Sequence, residues 1–275
     1  MSVILIAATL IWLFAAAITD IKKREVSDWL SFSLVSIGIF SALLTSVISN
    51  NYNLLLWSAI FFAIFIIIAN AFYYLKLFGG GDAKLLIALG PILPQLSFNS
   101  ILNLPSALTF LLNCTFIGAL YGMIWSLCLA IIHKKQFKEN ISKLKFPVLP
   151  FIVLPVLAVI LLFVYPSTYL LITLILLILF PFLYIFTKAV ENVALIKNIK
   201  TEKLTEGDWL AHPVKIKGRV ISAKLGLTKK DIEFLKKHKK EIAVKEGIPF
   251  VPVFLLAFIL SLLIGNLFEF FIRTF

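Results

Sequence analysis

The sequence predicts an all-α polytopic membrane protein of about eight transmembrane segments, with a small cytoplasmic α+β domain. Three observations predict it. Of the 275 residues, 61% are hydrophobic and 15% charged, with a mean hydropathy of +1.02; soluble domains carry roughly 25% charge. Apolar runs from Asn53 to Leu75, Pro105 to Ile132, Phe146 to Tyr165 and Thr168 to Phe186 approach or exceed the roughly 20 residues that cross a bilayer as helix. Residues 188–247, by contrast, mix charges with apolar residues and read as a folded domain outside the bilayer.

The first apolar run ends in Ala15-Ala16-Ala17, which invites comparison with a signal peptide. Its charges are reversed: no Lys or Arg precedes the run, and Lys22, Lys23 and Arg24 follow it. Residues 1–19 therefore read as a retained anchor with its N-terminus outside. Beyond it, cationic and uncharged connections alternate. The loops at 22–24, around Lys76 and Lys84, at 133–145 and from Lys188 onward are cationic; those at 51–53, 95–106 and 166–168 carry no charge. Cytoplasmic loops collect Lys and Arg, so every cation except Arg273 falls on one side if Ala83 to Pro94 crosses the membrane. That stretch covers only about 18 Å as helix against a core of roughly 30 Å. The expectation is a short or kinked crossing continued beyond Pro94, with both termini outside.

The resulting organisation is a transmembrane bundle at 1–187, a cytoplasmic domain at 188–247 and a C-terminal transmembrane helix at 248–275. Within the domain, Pro213 to Ser222 reads as a strand, and Thr228-Lys229-Lys230-Asp231 opens a helix with a capping box. The lysines of that helix, Lys236, Lys237, Lys239 and Lys240, read as a solvated face. The net charge of +12 sits in loops and brings no basic-aromatic motif, so no nucleic-acid partner is expected; anionic membrane lipids are the expected partner of those cations. Cys114 and Cys128 would lie about 21 Å apart on one helix, too far for a disulfide. The histidines His133, His212 and His238 form no ligand pattern, so no metal and no cofactor are expected.

Asp20 ends the first span, and Asp82 follows three glycines, Gly79 to Gly81. With the topology above, both aspartates stand at the cytoplasmic membrane surface. Two close carboxylates share one proton, and the ionised member can activate water while the protonated one polarises a carbonyl. Glycines let backbone approach closely and adopt angles other residues avoid. A plainer reading fits the same residues: Gly79 to Gly81 turn the chain and Asp82 caps the helix that follows.

"GGGDAKLLIALG" (Gly79 to Gly90) resembles the Gly-x-Gly-Asp-x-Lys-Leu signature of type IV prepilin peptidases and archaeal preflagellin peptidases. "TDIKKREVSDWL" (Thr19 to Leu30) resembles the region of their first catalytic aspartate, and "EGIPFVPVFLLAF" (Glu246 to Phe258) their late Pro-Phe-x-Pro segment. The resemblance implies a GxGD-type aspartic endopeptidase with Asp20 and Asp82 as the catalytic pair and Gly79 and Gly81 as the signature glycines. It implies prepilin or preflagellin precursors as partners, cut between a short basic leader and a hydrophobic helix at the cytoplasmic face. The CxxC motifs of many bacterial members are absent, which resembles the archaeal, peptidase-only form. The chain is longer than a minimal preflagellin peptidase.

Glu25 and Asp28 are candidates to hold a basic leader, opposed by Lys22, Lys23 and Arg24; the alternative is that they solvate or cap the next helix. Lys84 is a candidate contact for lipid phosphate or substrate carbonyl, with interfacial anchoring as its default. The competing class is a proton- or cation-coupled transporter using Asp82 in a glycine-broken segment. It lacks an evident repeat. A structural membrane subunit is the third class.

Overall fold

The computed structural model describes residues 2–75, 77–99, 104–143, 148–164, 174, 177, 184, 186–221, 226–239, 241–245, 247–267 and 269–270. Among them four helices are long and apolar enough to cross a membrane: α1 (Ser2–Lys23), α2 (Asp28–Ser49), α3 (Asn53–Tyr74) and α5 (Ser106–Ile132). The chain is a multi-pass, mostly helical membrane protein with a small sheet region. Four of the eight expected crossings are thus met. Helix α7 (Val148–Val164) is 17 residues long with Pro155 inside it, and the late apolar helix α9 (Val251–Leu263) has 13. The run expected from Thr168 to Phe186 lies largely outside the described residues, as do Lys240 and Arg273.

Contacts divide the chain into two compact units, one of Met1–Met123 with Gly247–Phe275 and one of Ile124–Glu246.

In the first unit, α2 begins at Asp28, whose carboxylate faces the free N–H end of its helix. It stops at Asn50, in the left-handed region with φ of 53°. The N–H groups of Asn50 and Asn51 then close on the carbonyls of Val47 and Ser46 at 3.3 and 3.1 Å, as helix C-termini commonly do. Helix α4 (Gly80–Leu89) packs against both α2 and α3, and α1 packs against α9. Leu85, Leu86, Ala88 and Leu89 of α4 are buried with Leu13, Leu30, Leu34, Phe65, Phe254 and Phe258 in one core. Apolar residues such as Ile48, Ile67 and Ile124 stay exposed, the pattern of helices whose outer faces meet lipid.

The expected crossing from Ala83 to Pro94 is not a single helix. The α4 segment ends at Leu89 after about 15 Å, turns at Gly90–Ile92 and closes with a 3-10 turn at Leu93–Gln95. Pro91 has no N–H to continue the helical ladder. Gln95 then ties this turn to α2: its Nε2 donates to the carbonyls of Gly38 and Pro91, both at 2.7 Å, and its Oε1 accepts from Ser41 Oγ at 2.8 Å. At the far end of α9, buried Asn113 of α5 donates to Ser261 Oγ and the Gly265 carbonyl at 2.8 Å and accepts from Leu267 N at 3.0 Å. Polar groups this deep need such partners.

The second unit holds α6 (Lys134–Lys143), α7 and the sheet. Strands β1 (Ile196–Lys200) and β2 (Trp209–Leu210) flank β5 (Glu241–Lys245), all antiparallel. The single strand expected at Pro213 to Ser222 is instead a hairpin, β3 (Val214–Ile216) and β4 (Arg219–Ile221). Lys217 and Gly218 both have positive φ, 47° and 81°, the turn type whose twist suits adjacent strands. The capping box at the start of α8 (Lys229–His238) forms as expected: Thr228 Oγ1 accepts from Asp231 N, and Asp231 Oδ2 accepts from Thr228 N, each at 3.3 Å. Lys236, Lys237 and Lys239 are exposed. Leu204, Leu210, Leu227, Leu235, Ile242 and Val244 form the core of this unit.

Glu191 bonds Lys245 of β5 at 2.9 Å and Lys188 at 3.3 Å. Burial pushes its carboxyl up, but the hydrogen bonds and charges of Lys245 and Lys188 outweigh burial and hold it below the ordinary value of 4.5. A lowered carboxyl contributes stability that is fully present above 4.5 and is lost as pH falls through the lowered value. Amide exchange along β1 and β5 is therefore expected to accelerate below about pH 4.5 in the wild type, and Glu191→Gln to flatten that acid dependence.

Candidate active site

Asp20 lies in the last turn of α1 and is buried, with 6% of its surface exposed. A buried carboxylate needs donors, and this one is met by the main chain of a distant segment: Val251 N donates to its Oδ2 at 3.0 Å. Val251 is the first residue of α9, where N–H groups have no partner within the helix. Just past α1, Arg24 takes a left-handed conformation, φ 58°. Its N–H closes on the Asp20 carbonyl at 2.8 Å, and its guanidinium donates to the Gly247 carbonyl at 3.3 Å. The chain from Gly247 to Val251 is thus held at both ends against the end of α1.

Asp82 is the third residue of α4, half-buried, and its Oδ2 accepts from Gly79 N at 3.0 Å. The plainer sequence reading is therefore realised: Asp82 does cap the turn that starts its helix. Capping uses one carboxylate oxygen at a single N–H. Tyr121 of α5 lies within reach of the charges of both Asp20 and Arg24.

The glycines serve space and not backbone angle, a correction to half of the expectation. None of Gly79, Gly80 and Gly81 is among the positive-φ glycines, and Gly79 is extended at φ −70°, ψ 166°. A Cβ on Gly81 would come within 3.2 Å of the Val26 side chain and of its backbone nitrogen. One on Gly79 would sit 3.3 Å from Asp82 Oδ2, whereas one on Gly80 would meet nothing within 4 Å. The turn between α1 and α2 thereby passes directly over Gly81, bringing the segments that bear Asp20 and Asp82 together.

Lys84 and Asp28 form an exposed ion pair with each other at 2.6 Å, roughly half of each side chain in solvent. Asp28 also stands in the first turn of α2, as the capping alternative supposed. Glu25 is exposed in the intervening loop. Exposed pairs contribute about 0–1 kcal/mol, so Lys84→Ala should shift thermal unfolding little; a loss above about 1 kcal/mol would mark a stronger constraint.

Sequence reasoning missed the groups that surround the aspartates. Val251 N is a backbone donor and leaves no side-chain signature, although Pro252 beside it is a helix-start signal. Phe78, next to Gly79, packs on Phe250, next to Val251, with ring centroids 5.0 Å apart. Phe254 and Phe72 complete that cluster, each 5 to 6 Å from Phe78 (5.7 and 5.0 Å).

Residues 7–123 match the type IV leader peptidase family, a region that includes both aspartates and all three glycines. The preflagellin peptidase of Methanococcus maripaludis is 30% identical over 119 residues, which cover 41% of this chain and 51% of that protein. The preflagellin peptidase of Methanocaldococcus jannaschii is 30% identical over 124 residues, 44% of this chain and 53% of the relative. For that of Methanococcus voltae the figures are 30% over 92 residues, 34% and 39%. The matches thus span about half the length of these curated relatives or less. They bear out the resemblance read from the motifs.

Proposed function

We infer, from the relationship of residues 7–123 to the type IV leader peptidase family, that the protein is a membrane-embedded aspartic endopeptidase. It removes the short basic leader from type IV pilin-like or archaellin precursors at the cytoplasmic face of the membrane. The observation that supports this reading is that the anchors of the two aspartates, Val251 N for Asp20 and Gly79 N for Asp82, each follow one ring of the Phe78–Phe250 contact, 5.0 Å between centroids. The cationic loops flanking both aspartates support the cytoplasmic side.

In this reading the two carboxylates hold one proton between them. The ionised carboxylate takes a proton from water as that water attacks the scissile carbonyl, and the protonated one hydrogen-bonds the carbonyl oxygen. The tetrahedral intermediate collapses when a carboxyl group returns a proton to the leaving nitrogen, so no acyl-enzyme forms and neither metal nor cofactor takes part. The precursor's hydrophobic helix lies among the bundle helices, which sets the leader junction at the height of the aspartates.

The test uses purified full-length protein in detergent with a chelator, and a synthetic precursor made of a basic leader and an apolar helix. Cleavage at the junction by the wild type, and by neither Asp20→Asn nor Asp82→Asn, is the expected result. Failure of the wild type across several precursors, or equal cleavage by all three, removes the peptidase reading and makes ion transport through Asp82 the next experiment.

A further inference from the structure

We propose that the Phe78–Phe250 ring contact, backed by Gly118, is the positioning device that sets the separation of Asp20 and Asp82. The proposal rests on the peptidase reading above. Each ring belongs to the residue immediately before the anchor of one aspartate. Phe78 precedes Gly79, whose N–H holds Asp82; Phe250 precedes Val251, whose N–H holds Asp20. The rings are packed at 5.0 Å between centroids, with Phe254 edge-on to both at 5.7 and 5.5 Å. A displacement of either ring is passed through one peptide unit to the hydrogen bond that fixes a carboxylate.

Gly118 gives this cluster its backing. It lies within α5, and a Cβ there would come 2.9 and 3.1 Å from the Phe250 ring and 3.6 Å from Val253. The absence of a side chain at 118 is what lets Phe250 sit where it does. Tyr121 stands one turn along the same helix face, within reach of the charge of Asp20. The groups that face Asp20 are then Arg24 from the end of α1, Asp82 from α4, Tyr121 from α5, and the N–H of Val251 with that of Phe250 at α9.

Two coupled carboxylates titrate in two steps, and the steps move together as the pair is separated. The width of the bell-shaped pH–rate profile therefore reports the distance between them, which a general loss of stability does not alter. The experiment compares wild type, Phe250→Ala, Phe250→Leu, Gly118→Ala and Phe98→Ala in cleavage of the synthetic precursor, with kcat and KM determined across pH. Phe98 is a buried ring packed edge-on against Phe258 and serves as the control for loss of a core aromatic. Gly118→Ala adds a good helix former in a helix interior and presses on the Phe250 ring without removing it, so it perturbs the contact without the cavity that Phe250→Ala leaves.

Phe250→Ala and Gly118→Ala are expected to lower kcat roughly a hundredfold, to leave KM within about threefold, and to narrow the bell; Phe250→Leu, which refills part of the space without reaching further toward Gly118, should retain more of the rate than Phe250→Ala. Phe98→Ala should lower the unfolding temperature and leave the width unchanged. Wild-type rates and an unchanged width in Gly118→Ala would overturn the positioning role while the peptidase reading stands. A wild type that cuts nothing overturns both.

Discussion

Asp20→Asn and Asp82→Asn are each expected to lower precursor cleavage by at least about a thousandfold, the upper part of the range for losing a general acid or base, while the protein stays folded. The hydrogen bonds explain why structure survives. Asp20 holds Val251 N and Asp82 holds Gly79 N through a carboxylate oxygen that only accepts. An asparagine amide keeps an acceptor oxygen in the same place. What it loses is the exchangeable proton and the negative charge, the two properties that water activation requires. The loss should therefore appear in kcat with bound precursor still detectable, as expected when an interaction made only in the transition state is removed. The wild type should show a bell-shaped pH profile from the coupled pair, absent from the residual activity of either variant. A variant that retains a tenth of the wild-type rate would exclude its aspartate from the chemistry.

Much of this arrangement was legible in residue order, because the informative signals were local. Gly79-Gly80-Gly81-Asp82 and the charges after Thr19 lie in short stretches whose composition is unusual against an apolar background. The four long spans and the capping box at Thr228 were readable for the same reason, hydrophobic length and a three-residue spacing being enough. The rest depends on contacts between remote segments. Val251 reaches Asp20 across 231 positions through a main-chain N–H, and no side-chain pattern announces a backbone donor. The Lys84–Asp28 pair joins residues 56 apart, so each charge taken separately looked available for lipid or leader. The hairpin at 214–221 was missed because a positive φ at Lys217 has no composition cue, and only Gly218 marked the turn. The short or kinked character expected of Ala83 to Pro94 was legible from its length and prolines, but the place of the break at Gly90–Ile92 was not.

Among the three glycines, substitution by alanine should separate cleanly: Gly80→Ala near wild-type activity, Gly79→Ala and Gly81→Ala strongly impaired. The separation follows from space. At Gly80, the first residue of α4, the new methyl meets nothing within 4 Å, and exchanging Gly for Ala in a helical conformation adds up to about 1 kcal/mol of stability. At Gly81 the methyl would press on Val26, whose backbone nitrogen is 3.2 Å away and has no rotamer by which to yield. Relief requires the loop between α1 and α2 to move off α4, and that loop begins just beyond Asp20. At Gly79 the methyl stands 3.3 Å from the Asp82 oxygen that accepts from the same residue's N–H, so the carboxylate itself must shift. Displacements of about an ångström at reacting groups cost on the order of a hundredfold in rate, so both variants should fall by that order in kcat. Thermal unfolding separates the causes. Gly80→Ala should melt at or above the wild-type temperature, and Gly79→Ala should lose rate with little loss of stability, because its methyl strains one side chain and no backbone. If all three variants behave alike, the glycines serve chain flexibility, and the close passage of Val26 over Gly81 has no part in bringing the two aspartates together.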